Sequence, residues 1–146
     1  MRFTKALFTT ALFGASVFSS QSTAWAMEQS QIIQVGQLYK QKDFKAILAI
    51  IQPLAEQGDA IAQALLGEMY EKRLGVKQDD FEAVKWYRKA ADQGNANAQF
   101  ILGMSYLLGK GVQVNKFLAK EWLGKACDNG EQKGCKYYAK LNRGEL

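Results

Sequence analysis

Slid along itself by 36 positions, the chain comes into register over two consecutive blocks, residues 59–94 and 95–130. The aligned pairs include Ala60/Ala96, Ala62/Ala98, Gln63/Gln99, Leu66/Leu102, Gly67/Gly103, Tyr70/Tyr106, Gly75/Gly111, Phe81/Phe117, Trp86/Trp122, Lys89/Lys125 and Asp92/Asp128. No other feature restricts the fold as much. A unit of this length is one supersecondary motif, too small to bury its apolar face alone, so successive copies must stack and share a core. A short linear array is expected.

Each block reads as two helices. The first opens at Asp59 or Asn95, good N-caps that directly follow Gly58 or Gly94, glycine being suited to ending the previous helix. Its apolar residues, such as Ala62, Leu66 and Tyr70, recur at helical spacing. It should stop near Gly75 or Gly111, with the second helix starting at Asp79 or Asn115 and ending at Gly94 or Gly130. Asp79 and Glu82 form a capping-box pattern. Gly67 and Gly103 fall mid-helix, where glycine costs about 1 kcal/mol. Meeting that cost twice in the same place predicts a partner helix too close for a side chain. Trp86, Trp122, Leu66, Leu102 and the paired alanines are expected in the core.

The flanks read as end units: a helix pair in residues 27–58 and one closing helix in residues 131–146. Residues 1–26 are set aside. A basic "MRFTK", an apolar "ALFTTALFGASVF" and a small-x-small end at Ala24-Trp25-Ala26 make the pattern of a secretory signal peptide cut after Ala26. The apolar run is shorter than the roughly 20 residues a spanning helix needs. The mature chain is thus expected in the periplasm or outside the cell, without stable membrane insertion. Losing Arg2 and Lys5 takes the net charge from +5 to +3. That excess is scattered, with no basic stripe interleaved with aromatics, and it argues against nucleic acid as a partner. In an oxidising compartment the two cysteines, Cys127 and Cys135, read as a disulfide. Zinc sites want four ligands, and the chain has no histidine.

The pattern A-x-A-Q-x-x-L-G-x-x-Y, followed by G-V, A-x-x-W and K-A-x-D-x-G, resembles the Sel-one-like repeat, a 36-residue relative of the tetratricopeptide repeat. Leu123 and Cys127 depart from the first block, standing where Tyr87 and Ala91 stood. The resemblance implies an all-α fold, a short right-handed α-solenoid of about seven antiparallel helices. The cysteine pair at the last repeat junction is similar to that of the secreted, cysteine-containing branch of the family. That branch implies proteins with penicillin binding and weak β-lactamase activity, while the resemblance to small exported Sel-one-like proteins implies regulators of envelope signalling or immunity proteins that block toxins.

The residues speak against chemistry. From Met27 onward there is no histidine or threonine, and Ser30 and Ser105 are the only serines. Ser105 is followed by "YLLG", so no S-x-x-K motif activates it, and a Ser–His–Asp triad cannot form. The carboxylates of Glu68, Glu71, Asp79, Asp80 and Glu82 have structural explanations as caps or helix-face charges. No catalytic residue, cofactor or metal is expected.

The expected work is therefore binding. In arrays of this type the first helices line the concave side, and positions spaced i, i+4, i+7 share a face. Along the array these are Ile33, Gln37 and Lys40; Ala64, Glu68 and Glu71; Phe100, Met104 and Leu107; and Lys136, Lys140 and Arg143. They make a mixed floor, an acidic step, an apolar patch and a basic rim. Phe100, Met104 and Leu107 either anchor an apolar side chain of a protein or peptide partner or pack under the closing helix with Tyr137 and Tyr138.

Overall fold

The computed structural model describes residues 26–146. Nearly all of the expected signal peptide therefore lies outside the described residues. Within them the chain forms seven helices and no strand. These are α1 (Gln29–Gln41), α2 (Phe44–Glu56), α3 (Ala60–Lys72), α4 (Asp80–Asp92), α5 (Ala96–Leu108), α6 (Lys116–Asp128) and α7 (Gln132–Asn142). Every extensive helix–helix contact joins chain neighbours, from α1 on α2 through α6 on α7. That pattern belongs to a solenoid of antiparallel pairs, in which each unit is stabilised by the next.

The caps follow the sequence. Asp59 and Asn95 accept from the N–H groups of Ala62 and Ala98 at 2.6 and 2.9 Å. Asp79 accepts from Phe81 and Glu82, both at 3.0 Å, and Asn115 from Leu118 at 3.0 Å. The expected capping box at Asp79 is only half formed, because the Glu82 side chain pairs with Lys85 at 2.7 Å. A complete box stands instead at α1, between Glu28 and Gln31.

The first helices stop earlier than expected. Arg73 and Gly109, repeat equivalents, end α3 and α5 in the left-handed region at φ 58° and 72°. Gly75 and Gly111 lie beyond, in the connecting loops, at φ 73° and 69°. Their role is close approach to the preceding unit: a Cβ on Gly111 would lie 2.2 Å from the Asp80 carbonyl oxygen. The mid-helix glycines behave as expected. A Cβ on Gly67 would sit 2.9 Å from the Tyr87 ring, and one on Gly103 would sit 2.7 Å from Leu123 Cγ.

The core runs through the array as two buried clusters. Leu66, Leu102, Ala62, Ala98, Ala90, Ala126 and Trp122 are buried. Trp86 is a correction: it is half-buried, with Lys89 Nζ lying 4.0 Å from its ring centroid. Lys125 covers Trp122 in the same way at 4.2 Å. The lysine stem shields the indole face that the core leaves open.

A ladder of side-chain amides ties the junctions together. Gln63 donates to the Ala55 carbonyl at 3.1 Å, and Gln99 to the Ala91 carbonyl at 3.0 Å. Each glutamine also accepts from an amide at the far end of its own repeat, Gln63 from Gln93 at 2.8 Å and Gln99 from Asn129 at 2.9 Å. Both glutamines are buried, so these bonds satisfy groups that would otherwise be costly there. At the third junction the same two positions are Cys127 and Cys135, which form a disulfide with Cα atoms 4.5 Å apart. The covalent bond takes the place of the amide rung.

Candidate functional site

The residues expected to form one face meet different fates. On α1, Ile33, Gln37 and Lys40 are exposed. On α3, Ala64 packs against the core, and Glu68 pairs with Lys72 one turn on at 2.6 Å. Glu71 is turned inward to two partners, accepting from the Tyr87 hydroxyl at 2.8 Å and from Lys110 Nζ at 2.7 Å. On α7, Lys136 is exposed, Lys140 lies over the Tyr137 ring at 5.9 Å, and Arg143 pairs with Glu145.

The apolar trio divides. Phe100 is half-buried, its ring 5.9 Å from that of Tyr137 on the closing helix. Leu107 packs against the core. Tyr138 turns the other way, onto Gly124 of α6. Phe100 and Met104 remain as walls of a cleft of about 270 Å³ completed by Glu71, Ile101, Ser105, Leu108 and Lys110. Leu108, 66% exposed, takes the place expected of Leu107. The cleft therefore lies one residue further round α5. Ile101, Ser105 and Leu108 are themselves an i, i+4, i+7 stripe, and that spacing was the signal available for finding them.

Glu71 is the electrostatic centre of this cleft. Burial alone would raise its pKa, but the hydrogen bonds from Lys110 and Tyr87 outweigh burial and hold the carboxyl below its ordinary value. Burial and the neighbouring Glu71 carboxylate push the Tyr87 phenol far above its usual range, so it stays a donor. Lys110 Nζ also stands 3.9 Å from Asp80 Oδ1, a buried oxygen without a hydrogen-bond partner.

The repeat register shows what is unusual about this triad. Positions 71, 87 and 110 correspond to Leu107, Leu123 and Leu146 one unit later; one unit earlier, where the turn between the helices is five residues shorter, they correspond to Lys40, Ile51 and Leu74. The later junction carries leucine at all three positions, and the earlier one carries Ile51 and Leu74 beside an exposed Lys40; only the middle one closes an ionic triad.

A second cleft, of about 370 Å³, was not foreseen. It is lined by Phe117, Lys120, Glu121, Gly124, Lys125 and Asp128 of α6 and by Tyr138 of α7. Phe117 and its repeat equivalent Phe81 are 76% and 75% exposed, the most exposed of the large apolar residues described. Among the described residues no group of three or more His, Cys, Asp or Glu side chains could hold a metal ion. No helix there is long and apolar enough to cross a membrane.

Comparison with known proteins agrees with the geometry. A family model described as Sel1 repeat matches residues 60–95 and 96–131. No curated protein sequence matches the chain. Among solved structures, a Sel1 repeat protein from Oxalobacter formigenes is 36% identical with a TM-score of 0.70, covering 75% of this chain and 45% of its own. A protective antigen of uropathogenic Escherichia coli displaying an SLR fold is 36% identical with a TM-score of 0.64, covering 69% of this chain and 22% of its own. Cysteine rich protein B of Helicobacter pylori is 29% identical with a TM-score of 0.61, covering 73% of this chain and 77% of its own. The chain thus spans less than half the length of the first two. With two matched repeats, a stack of neighbour-packed helix pairs and these relatives in view, the chain belongs to the Sel1-like repeat family.

Proposed function

We propose that this chain is a non-catalytic protein-interaction module, and that the face carrying Glu71, Met104, Leu108 and Lys110 receives an apolar side chain of a protein or peptide partner. Repeats of this family are generally protein-interaction modules. The observation that carries the finer reading is the ionic triad. The next junction of this array folds with leucine at the three positions, and the one before it has no acid opposite Leu74, so an ion pair is not needed there for stacking. A partly buried ion pair adds little stability over an apolar set. What it does add is fixed charge beside an apolar cleft, where Lys110 and Glu71 can set the register of a ligand whose side chain fills the space. The Cys127–Cys135 disulfide supports an exported protein, since such bonds persist in oxidising compartments.

The test is affinity capture from the native envelope with the wild-type chain and a Met104→Lys/Leu108→Glu variant. Both substitutions fall on the cleft wall, and the variant should keep its helical spectrum. A partner lost by this variant and retained by Phe117→Lys supports the reading. The opposite pattern moves the site to the α6–α7 cleft. One partner held in a tight one-to-one complex would favour a toxin-blocking role, whereas several envelope partners would favour an adaptor.

A further inference from the structure

Met27 is anchored more firmly than a residue just before a first helix needs to be. Its side chain is 6% exposed, within the cluster that contains Val35, Ile47 and Ile51. Its backbone N–H donates to Asp59 Oδ2 at 2.9 Å, a buried bond across 32 positions. Asp59 is itself 7% exposed, and its other oxygen already caps α3 through Ala62. A neutral side chain suffices for that cap, because Asn95 does the same work one repeat later. The carboxylate is therefore surplus to capping and is turned toward the nitrogen of Met27. The A-W-A run at residues 24–26 places the bond that a leader peptidase would cut immediately before that nitrogen.

We propose that Asp59 is a receptor for the chain's own processed N-terminus: hydrolysis of the Ala26–Met27 bond turns the Met27 amide into an α-ammonium that remains on Asp59 as a buried ion pair. Water supplies the hydroxyl of the new Ala26 carboxyl and one proton to the Met27 nitrogen, which takes another from solvent at neutral pH. The amide in the uncut chain is a neutral donor with one proton. The ammonium has three protons and a full charge, and a charge-assisted bond to a carboxylate is about twice as strong as a neutral one.

The charged residues nearest in sequence to the pair are acidic, Glu28 after Met27 and Glu56 at the end of α2. Burial of Met27 works against the charge, and Asp59 is the group that compensates it. Lys89, near the end of α4, is occupied on the Trp86 ring. The positive end of the α1 dipole opposes the ammonium, and the fixed Asp59 charge offsets it. Cleavage therefore tightens the first helix pair onto the array, and the tightening depends on pH. An amine whose folded pKa is raised contributes fully below its unfolded value, about 7.7–8.0. The contribution disappears as pH rises through the folded value.

The experiment uses the exported chain. Intact mass and N-terminal sequencing define its first residue. Competitive acetylation across pH 6–10.5 then titrates the α-amine, alongside thermal unfolding of the same protein and of a form acetylated at Met27. The expected chain starts at Met27, its amine titrates about one unit or more above the ordinary range, and Asp59→Asn returns it to that range. The unfolding midpoint should fall at alkaline pH relative to the acetylated form. A chain that starts elsewhere overturns the proposal. So does one that starts at Met27 with an ordinary amine, or whose thermal profile matches the acetylated form. That last comparison needs no variant, so it decides the matter even where Asp59→Asn folds poorly.

Discussion

Replacing Glu71 by leucine, the residue at the equivalent position 107, removes the acceptor for two donors that differ in what they lose. The Tyr87 hydroxyl belongs to a side chain only 2% exposed, and its hydrogen bond at 2.8 Å goes to Glu71. Stranding a buried hydroxyl costs about 1–3 kcal/mol. Lys110 has a side chain 41% exposed and can turn to water, so breaking its 2.7 Å contact costs at most about 1 kcal/mol. The tyrosine term dominates, and Glu71→Leu should lose about 2 kcal/mol, a fall of about 6–10 °C in Tm for a domain of this size. If the stranded hydroxyl is the cause, adding Tyr87→Phe removes it and leaves the ring on Gly67. The double variant should then recover about 1–2 kcal/mol. Urea denaturation followed by circular dichroism gives the four corners of the cycle. Strictly additive single effects, or a Glu71→Leu cost below about 0.5 kcal/mol, would refute this account of the triad.

Because Glu71 titrates below its ordinary value when folded, its contribution is present above the unfolded carboxyl pKa and lost as pH falls through the folded one. Glu71→Gln should flatten the acid limb of a Tm–pH curve. Reducing Cys127–Cys135, a short loop, should cost about 2–3 kcal/mol, with amide exchange rising first in α7. Gly103→Ala meets the Leu123 side chain at 2.7 Å and the Leu123 backbone nitrogen at 3.1 Å, whereas nothing lies within 4 Å of a Cβ on Gly36. Thermal melts should show the first destabilised by about 1–2 kcal/mol and the second stabilised by about 0.5–1 kcal/mol. A chromogenic cephalosporin should not be turned over, and turnover lost in a Glu68→Ala/Glu71→Ala variant would overturn the non-catalytic reading.

The fold was legible in the sequence because its signals are local. An Asp or Asn cap, a glycine at a crossing and a buried leucine each act within one or two turns, and the repeat wrote most of them twice. The site was legible only in part. Spacing identifies which residues share a stripe but not how the helix is rotated about its axis. Leu107 and Leu108 therefore exchanged roles, and Trp86 emerged half-covered by Lys89. Glu71 looked like a free acidic step because its partner Lys110 lies 39 positions away in a loop. A reading by register would have singled out the triad, since Glu71, Tyr87 and Lys110 all become leucine one unit later, at 107, 123 and 146. The α6–α7 cleft depends on where Tyr138 falls against Gly124, which no periodicity encodes.

The rungs joining Ala55, Gln63 and Gln93, and then Ala91, Gln99 and Asn129, involve only uncharged groups, and the last junction is covalent. Ionic strength consequently has little purchase on the spine, while it screens Lys110 and the other surface charges that a ligand would meet. Raising salt should loosen the grip on a partner well before it unstacks the hairpins, leaving the grip and the framework behind it to be adjusted separately.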